Sequence, residues 1–190
     1  MDETELADVA ERWLTSLQQD LKDFLHVVCD DQDLDEGLRA MAVSAVLYTL
    51  APGDVIPDSS GVPGYIDDAL ALRVVLARIR ERFPERFDGY AERIPELAAS
   101  TGEDLDAFRA WLGDLYELFA TRVGAVEKNE FKGKHAQDLL ADPDGATWLE
   151  EEVSVAALKL DFKPQAVASA ARRVNTLLPT FKQKLQSMRK

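Results

Sequence analysis

Four aspartates within one short stretch are the residues of this sequence best suited to chemistry. Asp54 and Asp58 lie in a segment rich in proline and glycine, and Asp67 and Asp68 follow soon after it. Clusters of carboxylate oxygens suit hard cations such as Mg²⁺, Mn²⁺ or Ca²⁺. If at least three of these side chains converge, the stretch forms a divalent-metal site that could support hydrolysis.

The same aspartates also have a structural interpretation, which the sequence favours. Asp54 and Asp58 can close turns by accepting hydrogen bonds from nearby backbone N–H groups, and Asp67 and Asp68 can cap the following helix. Their spacing differs from that of the common calcium loop, and the chain has only two histidines and one cysteine for zinc. We expect no cofactor, with Mg²⁺, Mn²⁺ or Ca²⁺ as the alternative; a partner-binding loop is the third interpretation.

The elements on either side of these aspartates are predicted to be helices. Asp33, with Glu36 three residues later, is typical of a helix start. The helix predicted over about residues 33–51 is apolar on nearly all sides between 40 and 50, which is typical of a buried central helix. Pro52 should end it, and a second long helix is predicted from about 64 to 83.

The remainder of the chain also carries helical patterns. Apolar residues recur at three- and four-residue steps in residues 4–29, 105–126 and 167–188. No stretch alternates apolar and polar residues over the length of a strand, so we predict no sheet. The fold class is therefore all-α, a compact bundle of about six to eight helices. We expect a helical domain over residues 1–100 and a helical region over 101–190, packed together as one unit.

One stretch of the chain resembles the signature of the YkvA-like family, a small helical domain of unknown function. The resemblance covers about residues 35–85 and implies a helical fold there, but no activity, cofactor or partner. The spacer 59–63 differs, because the family usually has bulkier apolar residues there. The matching positions are Tyr48, Pro52, Asp54, Ile56, Pro57, Asp58, Gly64, Tyr65, Asp67 and Asp68.

The charge of the chain is negative overall and unevenly distributed. The formal net charge is −13, which argues against general binding to nucleic acid. Residues 161–190 contain seven basic residues and one acidic residue, a net charge of +6, which leaves −19 for residues 1–160. The basic segment is expected to pack on the acidic remainder of the chain. The alternatives for this segment are an anionic membrane surface, an acidic partner or nucleic acid.

Covalent catalysis has weak support in this sequence. His26 and Cys29 are one helical turn apart, but a lone cysteine on an amphipathic helix is more often a core residue. We therefore expect a non-enzymatic protein–protein interaction or scaffold module, whose partner is another protein or a second copy of the chain. The alternatives are the divalent-metal site and peripheral membrane association. The acidic N-terminus lacks the pattern of a signal peptide, so we expect a cytoplasmic protein.

Overall fold

The computed structural model describes residues 3–52 and 55–187, and it confirms the all-α fold class. A π-helical turn, Leu25–Cys29, continues α1, and short 3₁₀ turns occupy Asp58–Ser60, Val62–Tyr65, Val126–Lys128 and Val174–Leu177. The helices of these described ranges are α1 Glu3–Phe24, α2 Glu36–Leu50, α3 Ile66–Arg82, α4 Pro84–Arg93, α5 Pro95–Ala99, α6 Glu103–Leu112, α7 Leu115–Val123, α8 Ala136–Ala141, α9 Gly145–Ala157, α10 Pro164–Ala171 and α11 Leu178–Ser187.

Helices α2 and α3 form the centre of the molecule and pack against each other. Most side chains of α2 are buried, as expected for a helix without a polar face. Its capping residue is Asp35, not Asp33 as predicted, and the Asp35 carboxylate accepts hydrogen bonds from the N–H groups of Gly37 and Leu38. Asp33 instead lies 2.9 Å from the guanidinium of Arg86 on α4.

Helix α3 is buried over most of its length, including a charged residue that the apolar pattern did not identify. Arg73 donates to Asp20 of α1 at 2.6 Å, and its guanidinium carbon lies 4.4 Å from the centre of the Trp13 ring. The side chains of Arg73 and Asp20 are 2% and 5% exposed. A buried charge is tolerated only when it is paired and hydrogen-bonded, and here the two partners come from α1 and α3.

The apolar stripe over residues 105–126 is divided between two helices rather than carried by one. Helix α6 ends at Gly113, whose φ of 53° lies in the left-handed region that glycine adopts easily. Helix α7 then begins at Leu115, and Phe108 and Phe119 are both fully buried. Breaks of this kind divide the bundle into more helices than the apolar pattern predicted.

A two-stranded hairpin corrects the prediction that the chain has no sheet. Glu130–Phe131 pairs antiparallel with Lys134–His135. Lys132 and Gly133 connect the strands with positive φ values of 50° and 78°. Each strand has only two residues, so no alternating pattern could have revealed it.

Both ends of the chain contribute to one hydrophobic core. Helix α1 packs against α6, α9 and α10. The rings of Trp13 and Phe108 stack with their centres 4.3 Å apart, and Trp111 contacts Phe181 of α11 edge-on at 5.4 Å. The division at residue 100 stays a prediction.

None of the helices in the described ranges combines the length and the apolar character needed to cross a membrane.

Candidate functional site

The buried carboxylate of Asp67 connects both central helices with the loop between them. Asp67 lies in the first turn of α3, and its Oδ2 accepts a hydrogen bond from the Tyr48 hydroxyl of α2 at 2.7 Å. The same oxygen accepts from the Ile56 backbone N–H at 3.0 Å, while the Tyr48 hydroxyl oxygen accepts from the Val55 N–H at 3.1 Å. We call Tyr48, Val55, Ile56 and Asp67 the Asp67 junction.

The environment of Asp67 disfavours its charged form. Asp67 is 0% exposed, and this burial raises its pKa from an ordinary 3.8 to about 7. The hydrogen bonds from Tyr48 and Ile56 act in the opposite direction, and the negative charge of Asp58 raises the pKa further. The second oxygen, Oδ1, is buried and has no hydrogen-bond partner among the described residues. The junction therefore contains an acid that changes protonation near neutral pH.

Gly64 allows the loop to fold closely against the start of α3. A Cβ atom at this position would lie 2.6 Å from the Pro57 carbonyl oxygen and 3.1 Å from the Cα of Asp58. Both are backbone atoms, so no side-chain rotation could relieve the contact. The turn is closed by hydrogen bonds from Ser60 N–H to Pro57 O at 2.8 Å and from Gly64 N–H to Gly61 O at 2.7 Å. The glycine of this motif is thus required by packing.

Asp58 and Tyr65 of the loop lie near the connection between α9 and α10. Burial raises the pKa of the half-buried Asp58 carboxyl, and the nearby positive charge of Lys159 opposes that effect. Its Oδ1 is buried without a hydrogen-bond partner among the described residues. The Tyr65 ring contacts the Phe162 ring with their centres 5.1 Å apart. The motif therefore contacts the C-terminal half of the chain through Tyr65.

Two aspartates of the motif, Asp58 and Asp67, do not have the hydrogen bonds predicted from the sequence. Asp58 accepts no turn-closing N–H within the described residues, and the capping residue of α3 is Tyr65 rather than Asp67 or Asp68. Asp67 bonds across the loop to Ile56, and Asp68 is buried. Asp54 lies outside the described residues, as does its predicted role.

The described ranges 3–52 and 55–187 contain no group of three or more His, Cys, Asp or Glu side chains placed to hold a metal ion. Tyr48, Gly64, Tyr65 and Asp67 all take part in the packing of the loop, and Pro52 lies just after the end of α2. Metal binding by Asp54, Asp58, Asp67 and Asp68 stays a prediction.

A separate groove lies between α1 and the α5–α6 segment, and no residue of the motif lines it. It encloses about 1000 Å³. The Trp13 indole N–H in its wall donates to Asp104 at 3.3 Å, and Arg12 forms an ion pair with the same carboxylate. This groove could not be predicted from the sequence, because its walls come from α1 and the α5–α6 segment, which are distant in the chain.

The pair His26 and Cys29 lies at the end of α1. Cys29 is buried, and burial raises the pKa of its thiol well above the ordinary value. His26 is exposed, and its Nδ1 lies 3.7 Å from a carboxylate oxygen of Asp30. The thiol therefore has the environment of a core cysteine.

The fold and the Asp67 junction define an all-α protein built around two buried helices that one hydrogen-bonded loop connects. Residues 38–73 match the family described as "Protein of unknown function (DUF1232)". This match includes the whole segment from Tyr48 to Asp68 and confirms the resemblance to a family of unknown function. No curated protein and no solved structure matches the chain.

Proposed function

We propose that this protein is a non-enzymatic helical module that binds another protein. The observation that carries the proposal is a pair of large exposed apolar side chains at the C-terminal end of α9, one in the helix and one just after it. Leu158 is 78% exposed and Val155 is 55% exposed, one helical turn apart. Adjacent exposed apolar side chains are typical of interaction sites when they form a patch. We call Val155, Leu158 and the exposed Lys159 beside them the Leu158 surface.

The Leu158 surface lies next to the loop that the motif shapes. Lys159 is close enough to Asp58 to affect its pKa, and Phe162 in the same connection contacts Tyr65. The opposite face of α9 is anchored in the core by Leu149 and Val153. A loop fixed by Asp67 and Gly64 therefore supports one side of this surface.

The burial of the junction supports an architectural role for it. Tyr48 is 2% exposed and Asp67 is 0% exposed, and each is hydrogen-bonded within the protein. A catalytic acid or base must come within hydrogen-bond distance of the group with which it exchanges a proton. These two side chains instead hold α2, α3 and the loop together.

The experiment uses cells that produce the full chain and compares the effects of replacing two exposed apolar residues, Leu158 and Phe83, on partner binding. A photo-crosslinking amino acid at position 155 should capture a partner, which is then identified and purified. Leu158→Asp should weaken binding of that partner at least tenfold, because burial of a leucine contributes about 1.5–3 kcal/mol. Phe83→Asp, at a residue 41% exposed on another part of the surface, is the control and should bind normally. Equal affinities for both variants, or capture that does not require Leu158, would reject the proposal.

A divalent-metal site is the second candidate, and one observation favours it. Oδ1 of Asp58 and Oδ1 of Asp67 are both buried without hydrogen-bond partners among the described residues, and the charge of Asp58 raises the pKa of Asp67. A cation between them would relieve both conditions. A metal at about 100 times its Kd stabilises a protein by about 2.7 kcal/mol. The wild type should then unfold at higher temperature in Mg²⁺ than in EDTA, and Asp58→Asn should abolish the difference; identical midpoints in both would exclude the site.

A further inference from the structure

The described basic residues of the C-terminal helices are exposed or half-exposed and form no ion pairs. Within residues 161–187, none of the basic side chains has an acidic side chain within salt-bridge distance. The helices pack instead through apolar residues such as Val167 and Phe181. We call the following residues the basic surface: Lys163, Arg172, Arg173, Lys182 and Lys184.

The groove between α1 and the α5–α6 segment has the opposite charge. Its two basic residues are already neutralised, since Arg12 pairs with Asp104 and Arg73 pairs with Asp20. Four exposed acids remain in its walls, and none forms an ion pair within the described residues. These acids are Asp8, Glu11, Glu96 and Glu103. The groove therefore offers a concave, negatively charged site of about 1000 Å³.

We propose that the acidic groove of one copy of this chain receives the basic surface of a second copy. The two surfaces have opposite charge, and neither is neutralised within the described part of its own chain. The groove has room for the long side chains that the basic surface presents. Because the two surfaces are different, the contact is head-to-tail, so an assembly that does not close into a ring keeps one free groove at one end and one free basic surface at the other.

The composition of the basic surface favours a protein partner over a membrane. Helices that lie on membranes combine basic residues with large exposed apolar residues. In the described ranges the large apolar residues that are exposed are Phe83, Val155 and Leu158, and none of these belongs to α10 or α11. A membrane would also leave the acidic groove unused, whereas a second copy uses both surfaces.

The proposed contact should be sensitive to salt. Exposed ion pairs are individually weak, and the screening length falls from about 10 Å at 0.1 M salt to about 3 Å at 1 M. Sedimentation velocity of the full chain at low salt should show mass increasing with protein concentration. The same protein at high salt should sediment as a monomer.

Charge-neutralising variants test the contact directly. The groove variant, Glu11→Gln/Glu103→Gln, and the basic variant, Arg172→Gln/Lys182→Gln, should each self-associate at least tenfold more weakly. Their equimolar mixture should form a complex that stops at two chains, because only one intact groove and one intact basic surface remain in each pair. The control is Glu85→Gln/Glu150→Gln, which removes two exposed acids outside the groove and should associate like the wild type.

Several results would overturn the proposal. A wild type that remains monomeric at low salt would do so, as would a control variant weakened as much as the groove variant. The proposal would also be wrong if the equimolar mixture of the groove variant and the basic variant formed no complex. Binding of anionic vesicles that requires Arg172 and Lys182, in a chain that does not self-associate, would assign the basic surface to membranes instead.

Discussion

Replacement of Gly64 by alanine tests whether the motif acts through packing, because its effect can be worked out from the structure. The new Cβ would lie 2.6 Å from the Pro57 carbonyl oxygen, whereas ordinary van der Waals contacts begin at 3.4 Å. The loop backbone must therefore move by about 1 Å. Forcing an extra carbon into a packed site costs about 1–3 kcal/mol. In a chain of this size each kcal/mol lowers Tm by about 2–4 °C, so a loss of several degrees is expected.

Gly89→Ala is the matched control for this prediction. Gly89 lies in α4 and is exposed, and a Cβ added to it would meet no atom within 4 Å apart from its chain neighbours and the backbone of its own helix. Alanine there should stabilise the protein by about 0.5–1 kcal/mol through helix propensity. Urea unfolding followed by circular dichroism measures both variants. If Gly64→Ala were as stable as the wild type, the close approach to Pro57 would not constrain the loop and the packing argument would be wrong.

Two further predictions concern the Asp67 junction. Tyr48→Phe removes the donor to Asp67 and the acceptor of the buried Val55 N–H, so it should lower the free energy of unfolding by about 2–4 kcal/mol in urea titrations; a loss below about 0.5 kcal/mol would contradict this. Asp67, with a pKa near 7 when folded and 3.8 ordinarily, binds its proton more tightly in the folded state. Its contribution to stability is therefore complete below about pH 4 and is lost as the pH rises through about 7, by an amount on the order of a few kcal/mol. Asp67→Asn should remove this pH dependence from urea unfolding between pH 4 and 8, and an unchanged slope would refute the assignment.

Local patterns in the sequence predicted the central part of the fold well. The uninterrupted apolar run between residues 40 and 50 predicted a central helix, because a helix without a polar face must be covered on all sides. Pro52 and the glycines after it predicted a shaped turn. The preference for a structural role of the motif rested on the same reasoning and stays a prediction. The central helix and the turn after it depend on residues that are neighbours in the sequence, so they can be predicted from local patterns.

Hydrogen bonds between distant residues could not be predicted in the same way. Asp67 accepts from Ile56 and Tyr48, and Asp20 pairs with Arg73, but no spacing rule connects these positions. Asp67 was expected to cap its own helix because carboxylates near a helix start commonly do so. The break at Gly113 was missed for another reason, since the apolar stripe continues on both sides of it. At Gly113 the backbone adopts a positive φ and α6 ends, but the spacing of the apolar residues does not change across this position.

Net charge was also an insufficient guide to contacts. A segment of charge +6 was expected to pack on a remainder of −19, but this difference does not reveal individual contacts, and none of the described basic residues after Asp161 forms an ion pair. Net charge sums over whole surfaces, whereas an ion pair requires two side chains within about 4 Å. The proposed contact between two copies would use the charges that remain unpaired here.

The roles of the Asp67 junction and the Leu158 surface can be distinguished by measuring both stability and partner binding for the same variants. The contact between Tyr65 and Phe162 connects the loop to the end of α9, so a shift of the loop displaces the surface as well. Gly64→Ala should therefore reduce both stability and partner binding, whereas Leu158→Asp should reduce binding alone, because Leu158 is 78% exposed and contributes little to the core. If Gly64→Ala lowered stability but left partner binding intact, the loop would stabilise the helices without positioning the surface. The motif would then act on the fold alone, and the surface would be independent of it.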